Sequence, residues 1–165
     1  MNTDNIPAPL ALHEETVRPE WIDYNGHMNV AFYVLAFDHA TDAMLEFLEL
    51  THDYKTKANT TTFVADMNVT YVQEVHEGDP LRFTTRILNC DEKRIHFWHE
   101  MYHATEGYLA ATNELLSLHI DLTNRRVGPM APEIAEWVRK ICDRHSTLPE
   151  PSGVGRLIGM KRPSV

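Results

Sequence analysis

The chain has 165 residues, enough for one domain with a sizeable core. Its formal net charge of −9 excludes the broad basic face that nucleic-acid phosphates demand. Hydrophobic residues make up 43% and charged residues 24%, an ordinary globular balance, and no apolar run approaches the roughly eighteen residues of a membrane span. Cys90 and Cys142 lie far apart without a C-x-x-C and read as free thiols. The opening M-N-T-D-N-I-P-A-P-L has neither a basic region nor an apolar stretch, so it is not a secretory signal. The expectation is a cytoplasmic protein without membrane or nucleic-acid partners.

In chain order, residues 1–12 carry two prolines and little pattern, and read as a loose arm. Residues 13–18 read as a short strand. In W-I-D-Y-N-G-H-M-N-V-A-F-Y, four polar side chains (Asp23, Asn25, His27, Asn29) fall on alternate residues, immediately before the chain turns apolar. Asn29 is placed to cap a helix, because its side-chain oxygen can accept one of the orphan N–H groups of the first turn. Val30, Tyr33, Val34, Phe37, Ala40, Met44, Phe47 and Leu48 then recur at helical spacing over 30–50. Residues 51–61 are polar and read as a loop.

The period then changes to two. Residues 62–75 alternate as a strand, E-G-D-P (77–80) turns, and three further strands follow around turns at 89–94 and 104–107. The four strands read as one antiparallel meander. Pro132 opens a short amphipathic helix over 133–143. The tail, 149–165, is rich in Pro and Gly, reads as flexible, and carries Arg156, Lys161 and Arg162. The pattern is an α+β architecture with a single domain over 13–148, whose uncovered sheet face and edges call for a partner subunit.

Residue types at the helix start point to acyl chemistry. A helix N-terminus carries partial positive charge and unpaired N–H groups. Acyl transfer builds negative charge on oxygen, which such donors stabilise. A carboxylate just upstream, Asp23, can serve as general base on water or as nucleophile on the acyl carbon. Asn25 and His27 can orient water or donate to substrate, and Gly26 allows close backbone approach.

D-Y-N-G-H-M-N-V-A-F-Y, with F-D following, resembles the D-x-N-x-H-(V/M)-N-x-x-x-Y signature of hotdog-fold acyl-CoA thioesterases, the 4-hydroxybenzoyl-CoA thioesterase-like group. The resemblance implies a five-stranded antiparallel sheet wrapped around a long central helix, covering about 120 residues from His13. It implies Asp23 as the catalytic acid, assisted by Asn25 and His27. It also implies that the Val30 N–H polarises the thioester carbonyl, with Gly26 and Tyr33 beside the substrate. An acyl-CoA substrate and a homodimer or homotetramer follow, with no metal or redox cofactor. The run from Pro19 to Ala43 looks closest to the betainyl-CoA thioesterases of carnitine degradation. For a quaternary ammonium, Trp21, Tyr24, Phe32, Tyr33, Trp98 and Tyr102 are candidate aromatic walls.

Two other readings use the same scaffold. Hotdog hydratases resemble this pattern but separate Asp and His by five residues, against four here (23 to 27). A non-catalytic acyl-CoA-binding protein would not depend on Asp23. Three histidines, His96, His99 and His103, would make a metal face only on a helix. Strand alternation from Ile95 sends His96 to the opposite side. No G-x-S-x-G is present, and the basic tail and Lys55, Lys57, Arg82, Arg86, Arg125 and Arg126 are open candidates for CoA phosphates.

Overall fold

The computed structural model describes residues 6–159. β1 (Leu10–Thr16) leads through a single 3-10 turn, Pro19–Trp21, to the long helix α1 (Val30–Phe47). A short helix α2 (His52–Ala58) precedes β2 (Thr60–Tyr71), β3 (Pro80–Cys90), β4 (Arg94–His103), β5 (Leu109–Asp121) and the two-residue β6 (Arg126–Val127), and α3 (Pro132–His145) ends the ordered elements. The strands form one antiparallel sheet in the order β1-β3-β4-β5-β2, with β6 added to β5. The sheet curls around α1, giving the α+β hotdog arrangement with a sixth, minimal strand.

α1 buries Tyr33, Ala36, Phe37, Ala40, Thr41, Met44 and Leu45 at spacings of three and four, and at 18 residues spans about 27 Å. Its N-terminal half packs with Val17, Trp21, Met28, Phe83, Met101 and Ala111. Its C-terminal half packs with Leu10, Ile87, Phe97 and Leu115, where Ile134, Val138 and Ile141 of α3 close the core. The fixed point between the halves is His99, fully buried between Thr41 and Thr85 (3.0 and 2.8 Å). Thr41 donates to Phe37 O, so it accepts from His99 Nε2–H, and Nδ1 accepts from Thr85. Burial, with His13 adding to it, holds the His99 pKa down at about 3, so the ring is neutral. His96 points to the other face and pairs with Glu114 at 2.8 Å, which breaks the histidine triplet as the strand period requires.

Four expectations are corrected. The arm does not run loose to residue 12: Ile6 is buried and Leu10, wholly enclosed, already opens β1. The polar stretch after α1 is not a loop but α2, made by end caps rather than by periodicity. Thr51 accepts from the Tyr54 N–H at 3.1 Å, and Asn59 ends the helix in the left-handed conformation. The strands are not a meander, because β2 pairs with β5 at the far edge rather than with β3. The connecting segment instead runs beneath the start of α1, where Val75 is buried. The tail, over its described part, lies on the sheet: Asn68 donates to Arg156 O (2.7 Å), Glu114 accepts from Gly155 N–H (2.8 Å), and Arg156 reaches Thr70 (3.0 Å). Lys161 and Arg162, like residues 1–5, lie outside the described residues.

Candidate active site

The loop between the 3-10 turn and α1 is closed on itself and bolted to the core. Trp21 is buried and stacks on Phe32 at 5.7 Å. Ile22 and Met28 form an antiparallel bridge, Asp23 N donates to His27 O (3.2 Å), and Gly26 N donates to Asp23 O (3.0 Å). Gly26 sits at φ +84°, a conformation that the turn requires and that other residues adopt at a cost. Met28 N donates to Val75 O and Asn29 N to Trp21 O, both at 2.9 Å. The tip faces solvent, with Tyr24 96% exposed.

Asp23 stands in a line of donors that ends at the helix. Its Oδ1 accepts from the Asn25 N–H at 2.8 Å, and its Oδ2 accepts from Asn29 Nδ2–H at 3.3 Å. Asn29 Oδ1 in turn accepts from the Ala31 N–H at 3.0 Å, so one side chain caps α1 and orients the carboxylate. Among the described residues the Val30 N–H has no acceptor, and its residue is 57% exposed. The first turn carries no acidic residue, so the positive end of the helix is not neutralised from within. An oxyanion placed there would meet a free donor and a favourable field.

The sequence candidates are brought together unequally. Asp23, Gly26 and Val30 share the loop and helix start. Asn25 contributes its backbone N–H, and no partner holds its side chain among the described residues. The His27 ring is half-buried and turned along its own chain, with Nδ1 3.3 Å from Met28 O. Tyr33 lies one turn along α1 but faces the core, 4% exposed and edge-on to Tyr71 at 5.1 Å. Burial pushes its hydroxyl up to about 12 despite a hydrogen bond with the Val75 backbone, so it is a neutral phenol behind the loop. The aromatic candidates do not converge within one chain: Trp21 and Phe32 stack on each other, Tyr102 lies under Arg82, and Trp98 packs near Gly153 of the tail.

Two residues with no assigned role in the sequence reading lie beside this site. A cavity of about 280 Å³ opens at Ala31, in the first turn of α1, and continues past Val34 and Leu35 to Asp38, with Met67 and Asn113 opposite. Asn113 is 1% exposed, and neither atom of its amide has a partner among the described residues. Burial, then the neighbouring Asp42, raises the Asp38 pKa above the usual carboxylate range, with His39 opposing. Parity on β5 could have flagged Asn113, a polar residue between the inward-facing Ala111 and Leu115. A larger cavity, about 860 Å³, lies beneath the tail around His96 and Glu114 and includes none of the loop residues. Of the cations considered for phosphate, Arg86 is already engaged with the carbonyls of Leu148 and Pro149.

Residues 17–138 match the family model of the Thioesterase-like superfamily. The chain belongs to that superfamily. A betainyl-CoA thioesterase of Pseudomonas aeruginosa is 36% identical over 151 residues, covering 92% of this chain and 95% of the relative. A Rhizobium meliloti L-carnitine dehydrogenase/betainyl-CoA thioesterase is 32% identical over 94% of this chain, which matches 31% of that longer protein. A Staphylococcus aureus protein solved in complex with CoA superposes with a TM-score of 0.86 at 25% identity, covering 96% of this chain and all of that one. This superfamily member is an acyl-CoA thioester hydrolase with the hotdog fold.

Proposed function

We propose that this thioesterase hydrolyses betainyl-CoA, with Asp23 performing the chemistry at the N-terminus of α1. The observation that carries the chemical part is the line from Asp23 through Asn29 to the helix start, beside an open Val30 N–H. The thioester carbonyl oxygen is placed at that N–H. Asp23 takes a proton from water as the water oxygen bonds to the acyl carbon. Charge gathers on the carbonyl oxygen, the C–S bond breaks, and the proton passes to the departing CoA thiolate. The same carboxylate can instead bond to the acyl carbon as the C–S bond breaks and the CoA thiolate leaves, and water then opens the resulting mixed anhydride to the free acid and Asp23. Label left in the enzyme after a single turnover in ¹⁸O-water identifies the second route, since it arises only when water attacks the Asp23 carboxyl carbon of the anhydride. Asn25 holds the carboxylate through its backbone, while Gly26 keeps the approach clear. His27 and Tyr33 flank the site without a direct contact to Asp23.

The substrate assignment rests on the activity for which the Pseudomonas and Rhizobium relatives are named, and the cavity beside α1 suits it. That cavity is small, mostly apolar and carries one carboxylate, Asp38, a setting for a compact acyl group with a positive charge. Two chains pair through the edge of β2 that has no partner strand among the described residues, where Phe63, Val64, Met67 and Tyr71, and Val72 just beyond, are exposed. A cytoplasmic location fits the two cysteines, both free.

The test is free-thiol release from betainyl-, acetyl-, medium-chain acyl- and 4-hydroxybenzoyl-CoA by the wild type and Asp23→Asn. Betainyl-CoA is expected to turn over fastest, with a loss of about a hundredfold or more in the variant. Thiol release untouched by the substitution would move the chemistry away from Asp23. Absence of release from every thioester, with CoA still bound, would favour a binding protein.

A further inference from the structure

A second cluster of ligand-type side chains lies on the other side of α1. β1 alternates, so His13 and Glu15 project from the same face, about 7 Å apart along the strand. α1 crosses that face and presents His39. Glu15 Oε1 lies 3.1 Å from His13 Nε2, and Glu15 Oε2 lies 3.1 Å from His39 Nδ1. All three donor atoms fall within 4.8 Å of one another. The Glu15 side chain is only 10% exposed, and among the described residues its ion-pair partners are these two imidazoles, with no lysine or arginine. Phe83 packs against the His13 ring at 5.2 Å, which fixes the ring from its apolar side.

We propose that His13, Glu15 and His39 bind one divalent ion of borderline softness, zinc foremost, joining β1 to α1. Two imidazole nitrogens and a carboxylate oxygen are a zinc ligand set, and zinc takes such atoms at roughly 2.0–2.2 Å. Tetrahedral geometry then separates ligand atoms by roughly 3.3 Å, close to the spacings that Glu15 already keeps from both rings. The fourth position faces the exposed side of His39 and takes water. Each ring offers a lone pair at the nitrogen nearest Glu15 once its proton sits on the other nitrogen. The ion holds an edge strand against the central helix, so its role is structural.

The alternative is a plain hydrogen-bonded trio, in which both rings donate to Glu15 without an ion. The experiment uses the full chain, stripped with a chelator, and titrates Zn²⁺ against a chromophoric competitor. One equivalent per chain is expected, weakened at least tenfold in Glu15→Gln and in His39→Asn, and unchanged in His96→Asn, which removes the other sheet-borne His–Glu pair. Zn²⁺ should also raise the melting temperature of the wild type but not of Glu15→Gln. NMR of the wild type alone covers the case of a variant that does not fold: zinc must shift the ring signals of His13 and His39 before those of the other histidines. Binding that is absent, insensitive to these substitutions, or centred on other histidines would overturn the site.

Discussion

At the scale of single residues, the cavity beside α1 makes claims separable from those on Asp23. Asp38 is its one carboxylate, and a cationic acyl group would pair with it only while it is ionised. Asp38→Asn is expected to raise KM for betainyl-CoA about tenfold, roughly 1.4 kcal/mol, and to leave acetyl-CoA kinetics unchanged. The pH dependence follows from the direction of the shift. Burial and Asp42 raise the Asp38 pKa, so on acidification it takes up its proton earlier than an ordinary aspartate. KM for the cationic substrate should therefore rise as pH falls, from a higher pH than a free carboxylate would give, and the rise should vanish in the variant. Equal losses with every acyl group would instead put Asp38 in the chemistry. Asn113 carries a different signature. A buried amide without partners costs about 1–3 kcal/mol, and Asn113 keeps one where its strand faces the cavity. Asn113→Val should raise the melting temperature while lowering kcat/KM; a variant both less stable and fully active would remove Asn113 from the site.

At the scale of elements, the start of α1 joins a cap to the proposed catalytic carboxylate through Asn29. Its oxygen holds the Ala31 N–H and its amide nitrogen holds Asp23. Two substitutions pull these roles apart. Asn29→Asp keeps a capping oxygen but sets a second negative charge beside Asp23, while Asn29→Ala loses both contacts. Thermal melts should place Asn29→Asp near the wild type and Asn29→Ala lower by about 1 kcal/mol. Thiol release should fall in both, and a fully active Asn29→Asp would dissolve the link. This cap was legible in the sequence because it is local: one residue type, one position, one period change. The strands were legible for the same reason. What escaped was non-local or carried by ends alone. Alternation over 62–75 marks β2 as a strand but says nothing of its partner, so its passage to the far edge beside β5 could not be read. α2 lacks an apolar face, and only its two caps declare it. Asp38 and Asn113 line one cavity from α1 and β5, a juxtaposition that no spacing along the chain encodes.

At the scale of the molecule, one feature ties the edge of the sheet to the site. β2 ends the strand order, so among the described residues one side of its backbone has no partner strand, and exposed Phe63 and Tyr71 lie along it with exposed Val72 just past its end. An edge this long and apolar is a template for another strand unless something covers it. The same strand supplies Val64 and Met67 to the cavity beside α1. Tyr71 reaches the first residue of that helix, its hydroxyl donating to Val30 O at 3.3 Å. Pairing two β2 edges about a two-fold axis would continue the sheet, cover the apolar row and close the cavity in both copies at once. Light scattering on the wild type should therefore give a dimer or a multiple of one. Phe63→Lys combined with Val72→Lys should shift it to monomer, because each chain would then bury two lysines in the apolar row that the pairing covers. Thiol release should fall at least tenfold in that variant although Asp23 and its donors are untouched. A monomeric variant with full activity would mean that each chain carries a complete site, and the exposed row on β2 would need a different partner.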